Sequence, residues 1–228
     1  MQARDRLVVA VDLSSRDEIL TLIDELRDVA GMFKIGLQAF IANGPGIVRE
    51  IVATGAKVFL DLKIHDIPNT AQHALGEAAE LGAAIVTVHA AGGAAMLAAS
   101  AREDMLVLAV TILTSLDESE LGKIGFGGSV VDNAVRLALL ARSAGLRGVV
   151  ASPLEIRRIR ESCGDSFVIL TPGIRASGGD AADQRRTMTA AEAIAEGADY
   201  LVVGRPITRA KDRRGAAMQL VDQIAKAR

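Results

Sequence analysis

The most chemically loaded stretch of the chain is Lys57-Val58-Phe59-Leu60-Asp61-Leu62-Lys63, with Asp66 close behind. Read as a strand, its two-residue period puts Val58, Leu60 and Leu62 on one face and Phe59, Asp61 and Lys63 on the other. The aliphatic face suits a covering layer of helices, which leaves Asp61 and Lys63 pointing inward, where each charge needs a partner. Lys34 and Asp12 close two earlier apolar runs. Two Asp and two Lys at one point form an alternating array. A salt-bridge network that merely closes the fold would be a poor source of stability beside apolar packing. The array therefore points to chemistry, and carboxylates beside ammoniums are the groups of proton transfer and electrostatic stabilisation.

A second cluster looks like a phosphate grip. Thr171-Pro172-Gly173-Ile174-Arg175 and Val202-Val203-Gly204-Arg205-Pro206 each end an apolar run. Glycines at such ends let backbone N–H groups approach a phosphate, and arginine offers a planar, bidentate partner for its oxygens. A plain glycine turn with a surface arginine is the alternative for either segment alone, and it weakens when both are taken together. His89, Thr114 and Ser152 also stand at run ends.

Other polar features carry less. Gly125-Phe126-Gly127-Gly128-Ser129 lacks the Lys and following Ser/Thr of a phosphate-binding P-loop and reads as a loop. His65 and His89 have no third ligand at metal spacing, and His73 reads as helix surface. Cys163 reads as a small buried hydrophobe. The pairs Arg185-Arg186 and Arg213-Arg214 read as solvated.

The elements that must position these residues alternate along the chain. Strand-like runs occupy Leu7–Asp12, Met32–Leu37, Ala56–Lys63, Ala84–Ala90, Leu106–Thr114, Gly148–Pro153, Phe167–Gly173 and Tyr200–Pro206. Helix-like stretches lie between them. Ser14-Ser15 caps one, Asn69-Thr70 introduces another, and Gly55, Gly82, Gly145 and Gly197 stop four. Eight β runs in strict alternation with eight α stretches predict an α/β fold, a single-domain (β/α)8 TIM barrel over residues 1–228. An open doubly wound sheet is the competitor. The excess length falls in Ser115–Ser129 and Arg175–Thr187, two candidate lids.

Composition fits. Half of the residues are hydrophobic but only 3% are aromatic, so Ala, Val, Leu and Ile make the core. A net charge of -2 gives no pull toward nucleic acid or an anionic membrane. One cysteine excludes an internal disulfide, and no apolar run approaches the roughly 20 residues of a membrane span. A soluble, cytoplasmic protein is expected.

Asp61-Leu62-Lys63-Ile64-His65-Asp66-Ile67-Pro68-Asn69-Thr70 resembles the D-x-K-x-x-D-I-P-x-T signature of the orotidine 5′-monophosphate decarboxylase family, its bacterial branch most. Seven further blocks fall in the family's order: Val9–Asp12, Lys34–Gly36, Val88–Ala90, Thr111–Ser115, Thr171–Arg175, Asp183–Arg185 and Val203–Ile207. The resemblance implies decarboxylation of orotidine 5′-monophosphate to UMP, the last step of UMP synthesis, with no cofactor and no metal. It implies that Lys34, Asp61, Lys63 and Asp66 are the charged array, with Lys63 the proton donor. It further implies that Asp12 and Lys34 contact the ribose, Thr114 the pyrimidine, and Gln184, Gly204 and Arg205 the phosphate, with Arg175 in the same loop system. Asp66, Ile67 and Thr70 match residues that reach the neighbouring subunit's site, which implies a functional homodimer.

Two rivals stay open at this level. Sugar-phosphate enzymes on the same barrel share the Asp-x-Lys-x-x-Asp strand but hold magnesium with it. The Ile67–Thr70 continuation and the Thr111–Ser115 block favour the pyrimidine enzyme. A non-catalytic nucleotide sensor would have no need of four packed charges.

Overall fold

The computed structural model describes residues 1–175 and 187–227. Eight parallel strands close into a barrel: β1 (Leu7–Val11), β2 (Met32–Gly36), β3 (Val58–Ile64), β4 (Ile85–His89), β5 (Leu106–Val110), β6 (Gly148–Val150), β7 (Val168–Thr171) and β8 (Tyr200–Val203). Each pairs with its neighbours in sequence, and β8 returns to β1 through Leu7↔Leu201 and Val9↔Val203. The two-residue strands Ile174–Arg175 and Met188–Thr189 form a separate parallel pair beyond β7.

The two-residue period sorts the apolar side chains into two cores. Val8, Ala10, Met32, Phe59, Ile85, Leu108, Leu170 and Val202 fill the barrel interior. Their neighbours, such as Leu7, Val9, Phe33, Ile35, Val58, Leu60 and Val86, face outward against the helices. Small Ala side chains on those helices let the layers approach, so few aromatics are needed.

All eight expected runs are barrel strands, but their ends and connections differ from the expectation in three ways. First, one helix per crossover does not hold. Leu37–Asn43 and Gly46–Ala53 both lie between β2 and β3, because Gly44 (φ 67°) followed by Pro45 cannot continue a helix. Second, the expected loop Ser115–Ser129 contains the helix Glu118–Lys123. Asp117 caps it, accepting from the Glu120 N–H at 3.0 Å, and Leu121 anchors it in the core. Third, the runs expected to reach Thr114, Pro153, Gly173 and Pro206 stop as strands at Val110, Val150, Thr171 and Val203, and Arg205–Thr208 is helical. Beyond Val110 the Thr111 N–H still meets the Val150 carbonyl at 3.1 Å before the chain turns away.

The helix after β3 starts at Pro68, so Asn69 and Thr70 lie within its first turn; proline suits this first position because it has no N–H to satisfy. Ser15 caps Arg16–Leu26 as expected. Gly55, Gly82, Gly145 and Gly197 all carry positive φ, as helix stops before the next strand require.

Candidate active site

The site begins with an irregularity in β3. Leu60 pairs with Val86 on β4, but the next pair in register is Ile64 with Val88, so residues 61–63 face Thr87 alone. Lys63 absorbs the excess with φ 51°, the sole positive φ outside glycine among the described residues. Leu62 still packs on the outer core, while Asp61 and Lys63 stay on the inner face. The expected facing therefore holds, although plain alternation does not.

The four expected charges meet as a ladder across three strands. Lys34 Nζ lies 3.1 Å from Asp12 Oδ1 and 3.7 Å from Asp61 Oδ2. Lys63 Nζ lies 2.8 Å from the same Asp61 Oδ2. Asp61 is only 8% exposed, and its other oxygen accepts from the Thr87 hydroxyl at 2.9 Å. That hydroxyl in turn accepts from the Lys63 backbone N–H at 2.9 Å. Gly36, paired with Asp61 in register, leaves room for the Lys34 ammonium: a Cβ there would stand 2.9 Å from Nζ.

The ladder forms one wall of a cavity of about 570 Å³ at the carboxyl ends of the strands. The wall from β5 to β7 is apolar, with Val110, Ile112, Val150, Ala151 and Leu170. Thr114 lines this cavity, as do Pro172 and Gly173 after β7 and Gly204 and Arg205 after β8. Gly173 has φ 83°, a conformation that favours glycine, whereas a Cβ on Gly204 would make only ordinary contact with Ala10 at 3.5 Å. The two glycine segments thus share one cavity with the charges. Gln184, most of the expected lid Arg175–Thr187 and the side chain of Arg175 lie outside the described residues.

Other expected positions fall elsewhere. Asp66 does not join the ladder; its Oδ1 accepts from the Ile67 N–H at 2.7 Å, and among the described residues it makes no ion pair. Ile67 is 66% exposed, and Thr70 is exposed beside it. Ser152 is buried away from the cavity, where its N–H donates to the buried Glu155 carboxylate at 3.0 Å. His89 also stays off the cavity wall, with its ring 5.5 Å from that of His65. Burial, then His65 and Lys63, push its pKa below the ordinary value. The Cys163 thiol is raised by burial, in keeping with a packed hydrophobe.

Three polar cavity residues escaped sequence reasoning: Gln38, Thr208 and Arg209. The available signals were weak. Gln38 follows the strand that carries Lys34, at the start of the next helix, and donates to Ser14 Oγ at 3.0 Å, while Arg209 follows Arg205 by four residues. Thr87 escaped too, being one β-branched residue in a β-branched strand.

Gly125–Gly127 line a wider hollow of about 950 Å³ on the outside of the helix Val130–Ser143. Arg136 there is engaged with Asn133 Oδ1 at 2.6 Å, and Ser129 caps the helix, so the glycine run is the loop expected. Among the described residues no three His, Cys, Asp or Glu side chains gather to hold a metal, and no helix is long and apolar enough to cross a membrane.

Comparison with known proteins matches residues 5–220 to the model of the orotidine 5'-phosphate decarboxylase / HUMPS family. An orotidine 5'-phosphate decarboxylase of Moorella thermoacetica is 50% identical, across 98% of this chain and 94% of its own length. One of Geobacter sulfurreducens is 48% identical, across 98% of this chain and 97% of its own. The crystal structure of orotidine 5'-phosphate decarboxylase from Lactobacillus acidophilus superposes with a TM-score of 0.86 at 31% identity, covering 96% of this chain and 98% of that one. With the closed barrel and the charge ladder already in place, these matches settle the lineage: the chain belongs to the orotidine 5'-phosphate decarboxylase / HUMPS family.

Proposed function

We propose that this chain is a carboxy-lyase that converts orotidine 5′-monophosphate to UMP and CO2, the final step in making UMP, with Lys63 as the proton donor. The observation that carries this is the ladder Asp12–Lys34–Asp61–Lys63 on one wall of a cavity whose opposite wall is apolar. Breaking the bond from C6 to the carboxylate leaves its electron pair on C6, in a vinyl orbital that the ring cannot delocalise. No electron sink is invoked, so charge and a proton must come from the protein. The Lys63 ammonium, held by Asp61 at 2.8 Å, supports the developing negative charge and then transfers its proton to C6. The neutral amine regains a proton from solvent.

Asp12 and Lys34 are proposed to hold the ribose hydroxyls and Thr114 the pyrimidine. Gly204, Arg205, Arg175 and Gln184 are proposed to hold the phosphate. That grip, remote from C6, supplies binding energy that can be used at the reacting centre.

A homodimer completes the site in this proposal, with Asp66, Ile67 and Thr70 entering the neighbouring subunit's cavity. The support is that Asp66 stands clear of its own ladder and that Ile67 and Ile41 are 66% and 77% exposed. A cytoplasmic location belongs to the same proposal.

The test is the fall in ultraviolet absorbance as orotidine 5′-monophosphate is consumed, with and without EDTA. Consumption unaffected by chelator is expected. No consumption of orotidine 5′-monophosphate together with chelator-sensitive turnover of a sugar phosphate would favour a magnesium-dependent sugar-phosphate enzyme, and no consumption with retained UMP binding would favour a sensor.

A further inference from the structure

We propose that the hydroxyl of Thr87 is a positioning group for the reaction, turning the Asp61 carboxylate and pinning the Lys63 backbone so that both ammoniums meet one carboxylate oxygen. The inference rests on the function proposed above. Thr87 is fully buried and lines no part of the cavity, so any effect it has on the reaction passes through Asp61 and Lys63.

Its single proton fixes the direction of the contacts. The Lys63 N–H can only donate, so the hydroxyl oxygen accepts there at 2.9 Å, and its own proton goes to Asp61 Oδ1 at 2.9 Å. With Oδ1 committed, Oδ2 is turned to Lys63 at 2.8 Å and Lys34 at 3.7 Å. The same oxygen holds the peptide at which β3 takes up its excess length, where Lys63 has φ 51°. Without the hydroxyl, a buried carboxylate oxygen and the strained peptide lose their partner together. One side chain of β4 thus sets both the rotation of the carboxylate and the root of the proton donor.

Two variants separate this from packing. Thr87→Val keeps the volume and removes the hydroxyl, whereas Thr87→Ser keeps the hydroxyl and loses the methyl. Positioning predicts that Thr87→Val lowers kcat about 10- to 100-fold, with UMP affinity little changed. Thr87→Ser should stay near the parent. Exchange of the Lys63 amide proton should be slow in the parent and Thr87→Ser but fast in Thr87→Val. If Thr87→Val does not fold, Thr87→Ala takes its place.

A merely structural threonine predicts the reverse order, with Ser worse than Val and the amide equally protected in both. Either result overturns the proposal. Should the parent leave orotidine 5′-monophosphate unconsumed, the reaction assignment fails, and the exchange comparison still decides the pin.

Discussion

Replacing Gly36 by alanine should lower turnover while sparing the fold. A Cβ at this position stands 2.9 Å from Lys34 Nζ and 3.5 Å from Asp12 Oδ1. Non-bonded heavy atoms of this kind rest at about 3.5 Å or more, so the ammonium must retreat by about 0.6 Å. The lysine stem is flexible, and Gly36 is extended at φ -93°, ψ -176°, which any residue adopts. Two small stability effects oppose each other. Alanine restricts the unfolded chain, worth about 0.4–1 kcal/mol in its favour. It is also a poorer helix N-cap than glycine, at a cost of about 0.5–1 kcal/mol. The melting temperature should therefore stay within about 3 °C of the parent.

Activity has no such offset. Lys34 Nζ sits 3.1 Å from Asp12 and 3.7 Å from Asp61, and since about 1 Å of misplacement in a positioned group costs about 100-fold, a retreat of about 0.6 Å should cost about 10-fold in turnover. The assay pairs absorbance loss of orotidine 5′-monophosphate with a circular-dichroism melt on one preparation. Turnover equal to the parent's refutes the steric reasoning. A melt lowered by more than about 5 °C refutes the claim that the fold is indifferent.

Lys63→Ala should abolish turnover yet leave UMP binding measurable by calorimetry; near-normal turnover sinks the donor assignment. Arg205→Ala should weaken orotidine 5′-monophosphate far more than the unphosphorylated nucleoside, and an unchanged preference for the nucleotide would move the grip elsewhere. Because burial lowers the His89 pKa below 6.5, the unfolded chain takes up this proton first as the solution is acidified. Stability from neutral His89 is thus full above pH 6.5 and declines below it. Melts at about pH 7.5 and about pH 5.5 should show His89→Gln losing less on acidification than the parent, and equal losses would refute this. Mixing inactive Lys63→Ala and Asp66→Asn subunits should restore about one quarter of parental activity, since half the dimers would hold one intact site. No recovery after subunit exchange argues against a shared site.

The barrel was legible because its signals are local and repeated: β-branched runs at even spacing and glycine stops such as Gly82 and Gly145. The inward facing of Asp61 and Lys63 was legible because Val58, Leu60 and Leu62 claim the other face. The bulge beneath them was not. Lysine is no marker of left-handed backbone, and the register of β3 on β4 is a long-range property. Thr87 was hidden for a related reason: within Ile85-Val86-Thr87-Val88 its hydroxyl acquires meaning only from residues across the ladder. Asp66 stood out as a charge behind the β3 run, but its role in a neighbouring site was legible through the family pattern alone, since within one chain it touches none of the ladder. The short helix after Asp117 was announced by its cap, but the glycines that follow masked it.

The left-handed backbone of Lys63 also bears on what evolution can place at this position. A side chain held in that conformation costs roughly 1–2 kcal/mol, which glycine would not incur. Lys63→Gly would relieve that cost but take from the buried Asp61 carboxylate its cation at 2.8 Å, a loss at least as large, so it should not make a more durable barrel. The ion pair thus keeps a strained lysine where backbone preference alone would place glycine, and stability and turnover select for the same residue.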